Sequence, residues 1–400
     1  MTTPETTPET TPDTHVVVIG GGYAGVMAAN RLMSRTGVRV TLVNPRPEFV
    51  ERIRLHQLAA DNDDAVEDYA RVLNAGVRLV VDTAERIDAT ARRVALATGA
   101  ALDYDYLVYA VGSTGDVPAA VPGAAEFAYP LSELEQARRL RERLNDLATP
   151  APVVVVGGGL TGIEAASEFA EAGRSVAVVS PVVGPSLSAP GRRSVIKRLR
   201  KLGVTIVDGP GAVVAGVTAD RVTLADGRSR PSAVTVWTAG FGVPGLAAAS
   251  GLRTDGLGRV CTDETLTSID DDRIVAAGDC AAPSGLPYRM SCQAGLPLGA
   301  QAADTVLARI AGTAPADARV PMTGQCISLG RGAGTVQLQR RDDTPVNLYI
   351  GGRTGAFVKE QVCRFTLKWL GSEAAEPGSY TSFKGPDRSA AIAAAAVPLR

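Results

Sequence analysis

A short β-branched run, a glycine-rich turn and a helix-forming stretch follow one another at two places in this chain. Val16–Ile19 leads into the first turn, and Pro152–Val156 leads into the second. Each unit continues into another strand-like segment, Val38–Val43 in the first and Ser175–Val179 in the second, so both are β-α-β units. Their separation is the length of a whole domain and is too long for a solenoid repeat. The sequence therefore predicts two α/β halves.

The first turn carries three glycines in the pattern GxGxxG, between a strand and a helix. They are Gly20, Gly22 and Gly25. In that context the first glycine permits a tight turn, the second lets a pyrophosphate approach the backbone, and the third lets the helix pack closely on the strand. The helix N-terminus adds unpaired N–H groups and a partial positive charge. We therefore favour dinucleotide binding over a purely structural glycine turn.

The second strand of such a unit normally ends in an acidic residue that binds a ribose, and here it ends in Asn44. An amide can also hydrogen-bond a hydroxyl group. Arg46 follows two residues later, at a position suited to adenine or phosphate. The first unit thus keeps polar groups where a nucleotide needs them.

The second turn repeats the pattern with Gly157, Gly159 and Gly162, and Glu164 follows in the helix. Its second strand is followed by Ser180 instead of a carboxylate, so nothing there repels a 2′-phosphate and NADPH is permitted. Arg192 and Arg193 either supply the opposite charge to that phosphate or are solvated residues at a helix end. The sequence leaves both readings open.

Three more apolar strands end in small residues. Their ends are Ala110-Val111-Gly112, Thr238-Ala239-Gly240 and Ala277-Gly278-Asp279. Ligands of open α/β sheets bind at the carboxyl ends of the strands, so Asp279 is expected in such a crevice. The alternative role for Asp279 is a helix N-cap, and the two roles are compatible.

Composition excludes several classes of function. The 41 basic and 42 acidic residues nearly cancel, so the chain has no overall field for nucleic acid or an anionic membrane. With two histidines, and five cysteines of which no two stand at CxxC spacing, neither a histidine-rich metal site nor a zinc ribbon is indicated. We expect no metal site, and we expect the cysteines to be isolated buried thiols.

The two ends of the chain differ in composition from the rest. Residues 2–14 repeat a Thr/Pro/Glu unit that predicts a disordered tail and lacks the features of a signal peptide. No stretch reaches the roughly 18 apolar residues of a spanning helix, which indicates a cytoplasmic protein. Residues 320–370 predict strands followed by an amphipathic helix from about Val358 to Leu370, and the Gly/Pro/Ser/Ala-rich end predicts a loosely packed arm. That helix either touches a membrane weakly or packs its apolar face on the protein or on a dimer mate.

The order and spacing of six motifs resemble the flavoproteins with two dinucleotide-binding domains, in the branch of type II NADH dehydrogenases and apoptosis-inducing-factor-like oxidoreductases. The motifs are Gly20–Gly25, Tyr106–Gly112, Val121–Gly123, Gly157–Glu164, Trp237–Gly240 and Gly278–Asp279. The resemblance covers about residues 15–370. It implies an α/β fold with two Rossmann-like domains, one for FAD and one for NAD(P), and a C-terminal α+β domain. The implied division is a disordered tail (1–14), a first FAD-binding segment (15–115), the NAD(P)-binding domain (116–240), a second FAD-binding segment (241–315) and a C-terminal interface or cap domain with a flexible tail (316–400).

The resemblance also implies which residues hold FAD. Gly20, Gly22 and Gly25 are expected at its pyrophosphate, with Ala110, Gly112 and Gly278 lining the same site. Asn44 and Arg46 are expected at the adenosine, and the backbone of Val81 at the adenine. Asp279 is expected to bind the ribityl or pyrophosphate part, and Gln293 to lie near the pyrimidine edge of the flavin.

For NAD(P)H, the resemblance implies a pyrophosphate site at Gly157, Gly159 and Gly162, with Ser180 and Gly240 also in contact. Glu164 matches a glutamate beside the nicotinamide that orients hydride transfer, which makes it a catalytic candidate. His56 is expected in the flavin crevice, either as a proton donor or as a helix-capping residue. Lys359 is the third catalytic candidate, because Phe357, Lys359 and Glu360 fall where such proteins cap the flavin.

Two departures from the family pattern narrow the expected chemistry. No cysteine precedes Cys261, so the CxxxxC pair of the disulfide reductases is absent. Type II dehydrogenases resemble AQxAxQQG in the helix after Gly-Asp, and here Pro297 and Leu298 replace the glutamines associated with a quinone pocket.

The resulting hypothesis is an FAD-dependent NAD(P)H dehydrogenase that passes hydride to flavin and then electrons to a quinone or another small acceptor, without a redox disulfide. The alternative is a slow-turnover, apoptosis-inducing-factor-like flavoprotein that acts through redox-linked partner binding. Either protein is expected to be cytoplasmic or peripheral to the inner face of a membrane, and a homodimer is compatible with both.

Overall fold

The computed structural model describes residues 14–395, in which helices and strands alternate. The helices are α1 (Tyr23–Leu32), α2 (Leu55–Ala59), α3 (Tyr69–Val72), α4 (Ala124–Phe127), α5 (Leu134–Asn145), α6 (Leu160–Glu171), α7 (Ala189–Lys201), α8 (Leu246–Ala249), α9 (Cys292–Ile310), α10 (Gly352–Ala375) and α11 (Ser389–Ala395). The strands before residue 116 are β1 (Thr14–Ile19), β2 (Val38–Asn44), β3 (Glu48–Val50), β4 (Val66–Asp68), β5 (Arg78–Val81), β6 (Ala84–Asp88), β7 (Arg93–Leu96), β8 (Ala101–Asp103), β9 (Tyr106–Tyr109) and β10 (Thr114–Gly115). The later strands are β11 (Ala128–Pro130), β12 (Pro152–Val156), β13 (Ser175–Val179), β14 (Thr205–Val207), β15 (Val214–Val217), β16 (Arg221–Leu224), β17 (Ser229–Pro231), β18 (Val234–Trp237), β19 (Phe241–Gly242), β20 (Val260–Thr262), β21 (Ile274–Ala276), β22 (Ala281–Pro283), β23 (Gly324–Ser328), β24 (Gly334–Gln339) and β25 (Pro345–Gly351).

The first half is built on a five-stranded parallel sheet in the order β21-β9-β1-β2-β5. Its central strand β1 is buried on both faces, which explains the unbroken run of β-branched residues from Val16 to Ile19. The predicted disordered tail lies outside the described residues except for Thr14, which is the first residue of β1 and pairs with Val38. The prediction was wrong at that residue because β2 offers Thr14 a partner.

The second half repeats this architecture with a parallel sheet in the order β11-β18-β12-β13-β14. β12 occupies the centre, and its four valines are buried. The two parallel sheets, with helices packed on them, confirm the predicted α/β class.

The chain crosses between the halves twice, and the crossing segments pair with each other. β10 runs antiparallel to β19, with Thr114 opposite Gly242 and Gly115 opposite Phe241. The carboxyl ends of β9 and β18 lie just before these segments along the chain. The crossing therefore joins the two sheets at their ligand-binding edges.

A three-stranded antiparallel sheet (β23-β24-β25) and the 24-residue helix α10 form the C-terminal region. The predicted helix from Val358 to Leu370 is too short at both ends. Its N-terminal extension contains Gly355, which the sequence presents as a helix breaker. A Cβ atom at Gly355 would lie 2.4 Å from the Gly334 carbonyl oxygen, so this glycine allows α10 to lie directly on β24.

The C-terminal segment after α10 is fixed to the first half as far as Arg388. Gly385 N–H donates to the Arg319 carbonyl, and the Arg319 guanidinium pairs with Asp387 at 2.6 Å. Arg388 lies over the Tyr288 ring and 3.3 Å from Glu264. The predicted loosely packed arm is therefore wrong up to this residue, and residues 396–400 lie outside the described range. Within residues 14–395 no helix is long and apolar enough to cross a membrane.

Candidate active site

The first glycine turn has the three geometries that its pattern predicts. Gly20 has φ +104°, a left-handed conformation in which a side chain would be strained. A Cβ atom at Gly25 would lie 1.8 Å from the Gly20 carbonyl oxygen, so α1 packs tightly on the turn. A Cβ atom at Gly22, in contrast, would meet no atom within 4 Å. The open space at Gly22 is where the pattern places a pyrophosphate.

The second turn repeats this geometry. Gly157 has φ +115°, a Cβ atom at Gly162 would lie 2.1 Å from the Gly157 carbonyl oxygen, and Gly159 faces open space. Gly22 and Gly159 are the N-caps of α1 and α6, and neither helix has a side-chain cap. The N–H groups at both helix ends are therefore available to an anion, and both turns fit the pyrophosphate of a dinucleotide.

Asn44 and Arg46 lie beside the first turn, but the protein already uses their side chains. The Asn44 amide oxygen accepts a hydrogen bond from Gly21 N–H at 3.0 Å, and its NH2 group donates to the Arg46 carbonyl at 2.8 Å. The Arg46 guanidinium pairs with Glu133 at 3.0 Å and with Glu135 at 2.7 Å. Asn44 thus stabilises the first glycine turn, and Arg46 connects the segment after β2 to the second half. Val81 pairs with Asn44 across β2 and β5 and is 50% exposed, as a backbone contact to a ligand requires.

Asp279 is held at the carboxyl end of β21. One carboxylate oxygen accepts a hydrogen bond from the Ser113 hydroxyl at 2.7 Å, and the other accepts from Ser291 N–H at 3.2 Å. The helix-cap alternative for Asp279 is wrong, because Ser291 is the N-cap of α9 and accepts from Ala294 N–H. Arg52, which the sequence did not single out, lies 4.0 Å from Asp279 and donates to Ser113 at 3.1 Å.

The strand-end glycines adopt conformations that the adjoining turns need. Gly112, Gly240 and Gly278 all have positive φ. The Ala110 carbonyl oxygen lies 2.3 Å from where a Cβ atom of Gly20 would stand, so this strand end presses on the first turn. Gln293 is in the first turn of α9, and its side-chain amide hydrogen-bonds Thr323 at 2.9 Å. Its amide is therefore anchored to the segment that leads into β23.

Ser180 follows β13 in the second half, and its hydroxyl donates to the Val182 carbonyl at 3.0 Å. The loop after Ser180 folds back on the glycine turn, where Gly184 N–H donates to the Gly158 carbonyl at 2.7 Å. The Nε atom of Arg192 is buried without a hydrogen-bond partner among residues 14–395. Arg193 is exposed. Of the two arginines, Arg192 is therefore the one with a buried donor that lacks a partner in the described residues.

The three catalytic candidates meet in one buried cluster, although each comes from a different region of the chain. Lys359 Nζ on α10 lies 3.1 Å from Glu164 Oε1 on α6. His56 Nδ1 on α2 lies 3.8 Å from Glu164 Oε2. Ser328 N–H at the end of β23 donates to Glu164 Oε1 at 2.9 Å. Glu164 is 7% exposed, so its charge depends on these partners.

The protonation states of the cluster follow from burial and from this pairing. Burial alone would raise the pKa of Glu164, but the Lys359 ammonium, with smaller contributions from His56 and Ser328 N–H, holds it below its ordinary value. Burial would lower the pKa of Lys359, and the Glu164 carboxylate more than offsets that effect. Burial lowers the pKa of His56 to about 4. At neutral pH the cluster is therefore a carboxylate–ammonium pair beside a neutral imidazole.

The structure places His56 within a helix and keeps its imidazole neutral. It lies inside α2, one residue after the helix starts, so it does not cap that helix. With a pKa of about 4, its imidazole carries no extra proton to donate at neutral pH. Its Nε2 atom is buried without a partner among the described residues.

Three of the five cysteines are close enough to Lys359 for its charge to oppose the rise in their pKa. They are Cys292, Cys326 and Cys363. Burial raises the pKa of Cys292 and of Cys326 to about 11, and it raises the pKa of Cys363 as well. All five cysteines are free thiols. Because the thiolate is the reactive form, these three groups are weak nucleophiles at neutral pH.

Helix α10 buries one side and exposes large apolar side chains on the other. Cys363 and Leu370 are buried, whereas Phe357, Phe365 and Trp369 are 65%, 41% and 42% exposed. Phe365 and Trp369 stack on each other with ring centroids 5.8 Å apart. Leu370 packs in the core of the first half, as the packing alternative predicted, whereas these three rings remain largely exposed.

The sequence model of the pyridine nucleotide-disulphide oxidoreductases matches residues 14–304. An NADH dehydrogenase-like protein of Mycobacterium tuberculosis is 36% identical over 325 residues, which cover 74% of this chain and 80% of that protein. The type II NADH:quinone oxidoreductase Ndh of the same organism is 28% identical over 348 residues, which cover 76% of this chain and 74% of that protein.

Solved structures share the fold at lower identity. NDH2 of Plasmodium falciparum in complex with NADH superimposes with a TM-score of 0.75 at 14% identity, over 92% of this chain and 99% of that chain. The sulfide:quinone oxidoreductase of Aquifex aeolicus superimposes with a TM-score of 0.74 at 20% identity, over 91% and 93%. These likenesses extend beyond the matched range of the family model into the C-terminal region.

Proposed function

The chain belongs to the pyridine nucleotide-disulphide oxidoreductase family, and we propose that it is an NAD(P)H dehydrogenase whose electrons go to a quinone or another small acceptor. The match confirms the predicted resemblance and the predicted class of enzyme, an oxidoreductase that uses FAD and NAD(P)H. The acceptor and the roles of individual residues are the elements proposed here.

The buried Glu164–Lys359 pair carries the proposal. Glu164 stands one turn into the helix that begins at the second glycine turn, and Lys359 comes from the C-terminal region. A carboxylate fixed at this place can orient a nicotinamide that enters from the second half. The neutral His56 beside it adds no charge that would compete for Glu164.

The two glycine turns divide the cofactors between the halves. Gly20, Gly22 and Gly25 would hold the FAD pyrophosphate, and Gly157, Gly159 and Gly162 that of NAD(P)H. When bound, FAD accepts a hydride from NAD(P)H and passes two electrons to the acceptor. Asp279, fixed by Ser113 and Ser291, would accept hydrogen bonds from the ribityl part. Arg52 beside Asp279 would bring a positive charge close to the phosphates.

The protonated state of the thiols argues against a dithiol step in the electron transfer. The raised pKa values of Cys292, Cys326 and Cys363 keep them protonated, so they are poorly suited to attack a substrate or a disulfide. No cysteine lies in α1 or α2, where disulfide reductases of this family carry their CxxxxC pair. We therefore propose that the acceptor takes its electrons directly from the reduced cofactor.

Stopped-flow absorbance tests the proposal. The flavin of the purified protein should bleach when NADH or NADPH is mixed with it, and a soluble quinone such as menadione should restore the oxidised spectrum in repeated turnovers. A long-lived charge-transfer complex that quinones do not discharge would contradict the dehydrogenase. It would support the alternative, a slow flavoprotein that works through a bound partner.

A further inference from the structure

A cavity of about 520 Å³ opens between α2, the turn that joins β23 to β24, and the first half of α10. Ligand sites for small molecules have volumes of about 300–1,000 Å³, so a molecule with one or two rings fits. Its lining includes Gln57, Arg331, Arg353, Phe357 and Lys359. Lys359 also contacts Glu164, which connects the cavity to the buried cluster.

Most charged groups at this cavity are already paired inside the protein. Lys359 pairs with Glu164, and Arg331 pairs with the buried Glu168. Glu360, which also lines the cavity, pairs with Arg54 at 3.1 Å and with Arg364 at 2.9 Å. Its negative charge is therefore compensated by groups outside the lining.

Arg353 differs from the other lining cations. Among residues 14–395 its guanidinium makes neither an ion pair nor a side-chain hydrogen bond. It stands in the first turn of α10, where the helix dipole disfavours a positive charge. Arg353 is also exposed, so its guanidinium is free to bind an anion at the cavity.

Phe357 lies four residues after Arg353, so both side chains lie on the same face of α10. The ring is 65% exposed, so a ligand that covered it would gain free energy by burying apolar area. The cavity wall thus presents a free guanidinium beside an open aromatic face.

We propose that this cavity takes the electron acceptor, and that the acceptor is a flat aromatic quinone bearing a carboxylate or sulfonate group. The Arg353 guanidinium binds the anionic group through parallel N–H donors, and the Phe357 ring packs against the quinone ring. This inference rests on the proposed dehydrogenase function and names the class of its acceptor. Two electrons and two protons convert the quinone to a hydroquinone, and NAD(P)H supplies the hydride while solvent supplies the second proton.

Steady-state kinetics with two quinones test the charge preference. The anionic probe is 1,4-naphthoquinone-2-sulfonate and the uncharged probe is menadione. Arg353→Gln should raise the KM for the sulfonate about tenfold relative to the KM for menadione, because one charge-assisted contact is lost. Lys368→Gln, which removes a cation from the same helix outside the cavity, should leave the ratio of the two KM values unchanged.

Calorimetric titration of the oxidised holoprotein with redox-inert naphthalene-2-sulfonate gives a readout independent of turnover. The parent chain and Lys368→Gln should bind it equally, and Arg353→Gln should bind it about tenfold more weakly. Equal binding by all three proteins, or equal changes in KM for both quinones, would overturn the inference. If neither quinone is reduced by the parent protein while the sulfonate still binds at Arg353, the proposed dehydrogenase fails and the anion site stands.

Discussion

Lys359 Nζ lies 3.1 Å from Glu164 Oε1, and this contact joins the C-terminal helix α10 to the second half of the protein. Glu164 is buried and Lys359 is largely buried, so each is the main compensation for the other's charge. The pair thus has a structural role that can be separated from its proposed role at the nicotinamide.

Removing one member of the pair should cost more stability than removing both. Lys359→Met and Glu164→Gln should each lower the free energy of unfolding by about 3 kcal/mol, because each leaves a charged partner buried. The double variant should recover part of that loss, as urea unfolding would measure. Lys368→Met, at an exposed position of the same helix, should change stability by less than about 0.5 kcal/mol. Additive losses in the double variant would contradict the pairing.

His56 should make the protein sensitive to mild acid. Its pKa is about 4 in the folded protein against 6.5 for a free side chain, so the unfolded chain binds more protons between these pH values. The free energy of unfolding should therefore fall as the pH drops from 6.5 to 4, by about 3 kcal/mol from this residue. Urea unfolding at pH 7 and pH 4.5 should show a smaller fall in His56→Gln than in the parent protein. Equal falls would mean that His56 is not held neutral.

Valine in place of the second glycine of one turn should abolish the binding of one cofactor and leave the other bound. A Cβ atom meets nothing at Gly22 or Gly159, so the cost to the fold is small, whereas a branched side chain fills the phosphate space. Gly22→Val should be purified without flavin absorbance. Gly159→Val should keep its flavin, which dithionite should reduce and NAD(P)H should not. Gly256→Val, also at an open position, serves as the control and should behave as the parent does.

Ser180 should permit both nicotinamide cofactors. The parent protein should use NADPH and NADH with kcat/KM values within about a hundredfold of each other, because no carboxylate follows β13 to repel a 2′-phosphate. Ser180→Glu should shift the ratio at least about tenfold towards NADH, and Ser180→Gln should not. A parent enzyme with a larger preference for NADH would contradict this interpretation of Ser180.

The sequence predicted the features that depend on a few adjacent residues. The glycine turns and the strands that lead into them are local features. The GxGxxG pattern alone predicts the left-handed backbone conformation of Gly20 and Gly157. The family resemblance brought Glu164, His56 and Lys359 forward as separate candidates. Their meeting at one buried point depends on how three distant segments pack, which no local pattern encodes.

The contacts that the sequence did not predict are long-range polar ones. Arg46 was expected to face a nucleotide, and the ion pairs that it makes with Glu133 and Glu135 of the other half had no local signal in the sequence. Ser113 follows β9 and donates a hydrogen bond to Asp279, which follows the neighbouring strand β21. The sequence signal for Ser113 was its place directly after a strand-end glycine. The sequence did not predict the N-terminal turns of α10, because they contain Gly352 and Gly355. A glycine that permits close packing cannot be distinguished in a sequence from one that ends a helix.

The strand order of the first sheet also constrains how the protein is made. β21 completes that sheet beside β9, yet it leaves the ribosome only after every strand of the second sheet has been synthesised. α9, whose Gly299 lets it lie against Ala24 of α1, emerges later still. During synthesis the strands of the second sheet can therefore pair first, while the edge of β9 in the first half is still unpaired. The surroundings of the glycine turn at Gly20 are therefore completed by residues that the ribosome adds after every strand of the second sheet.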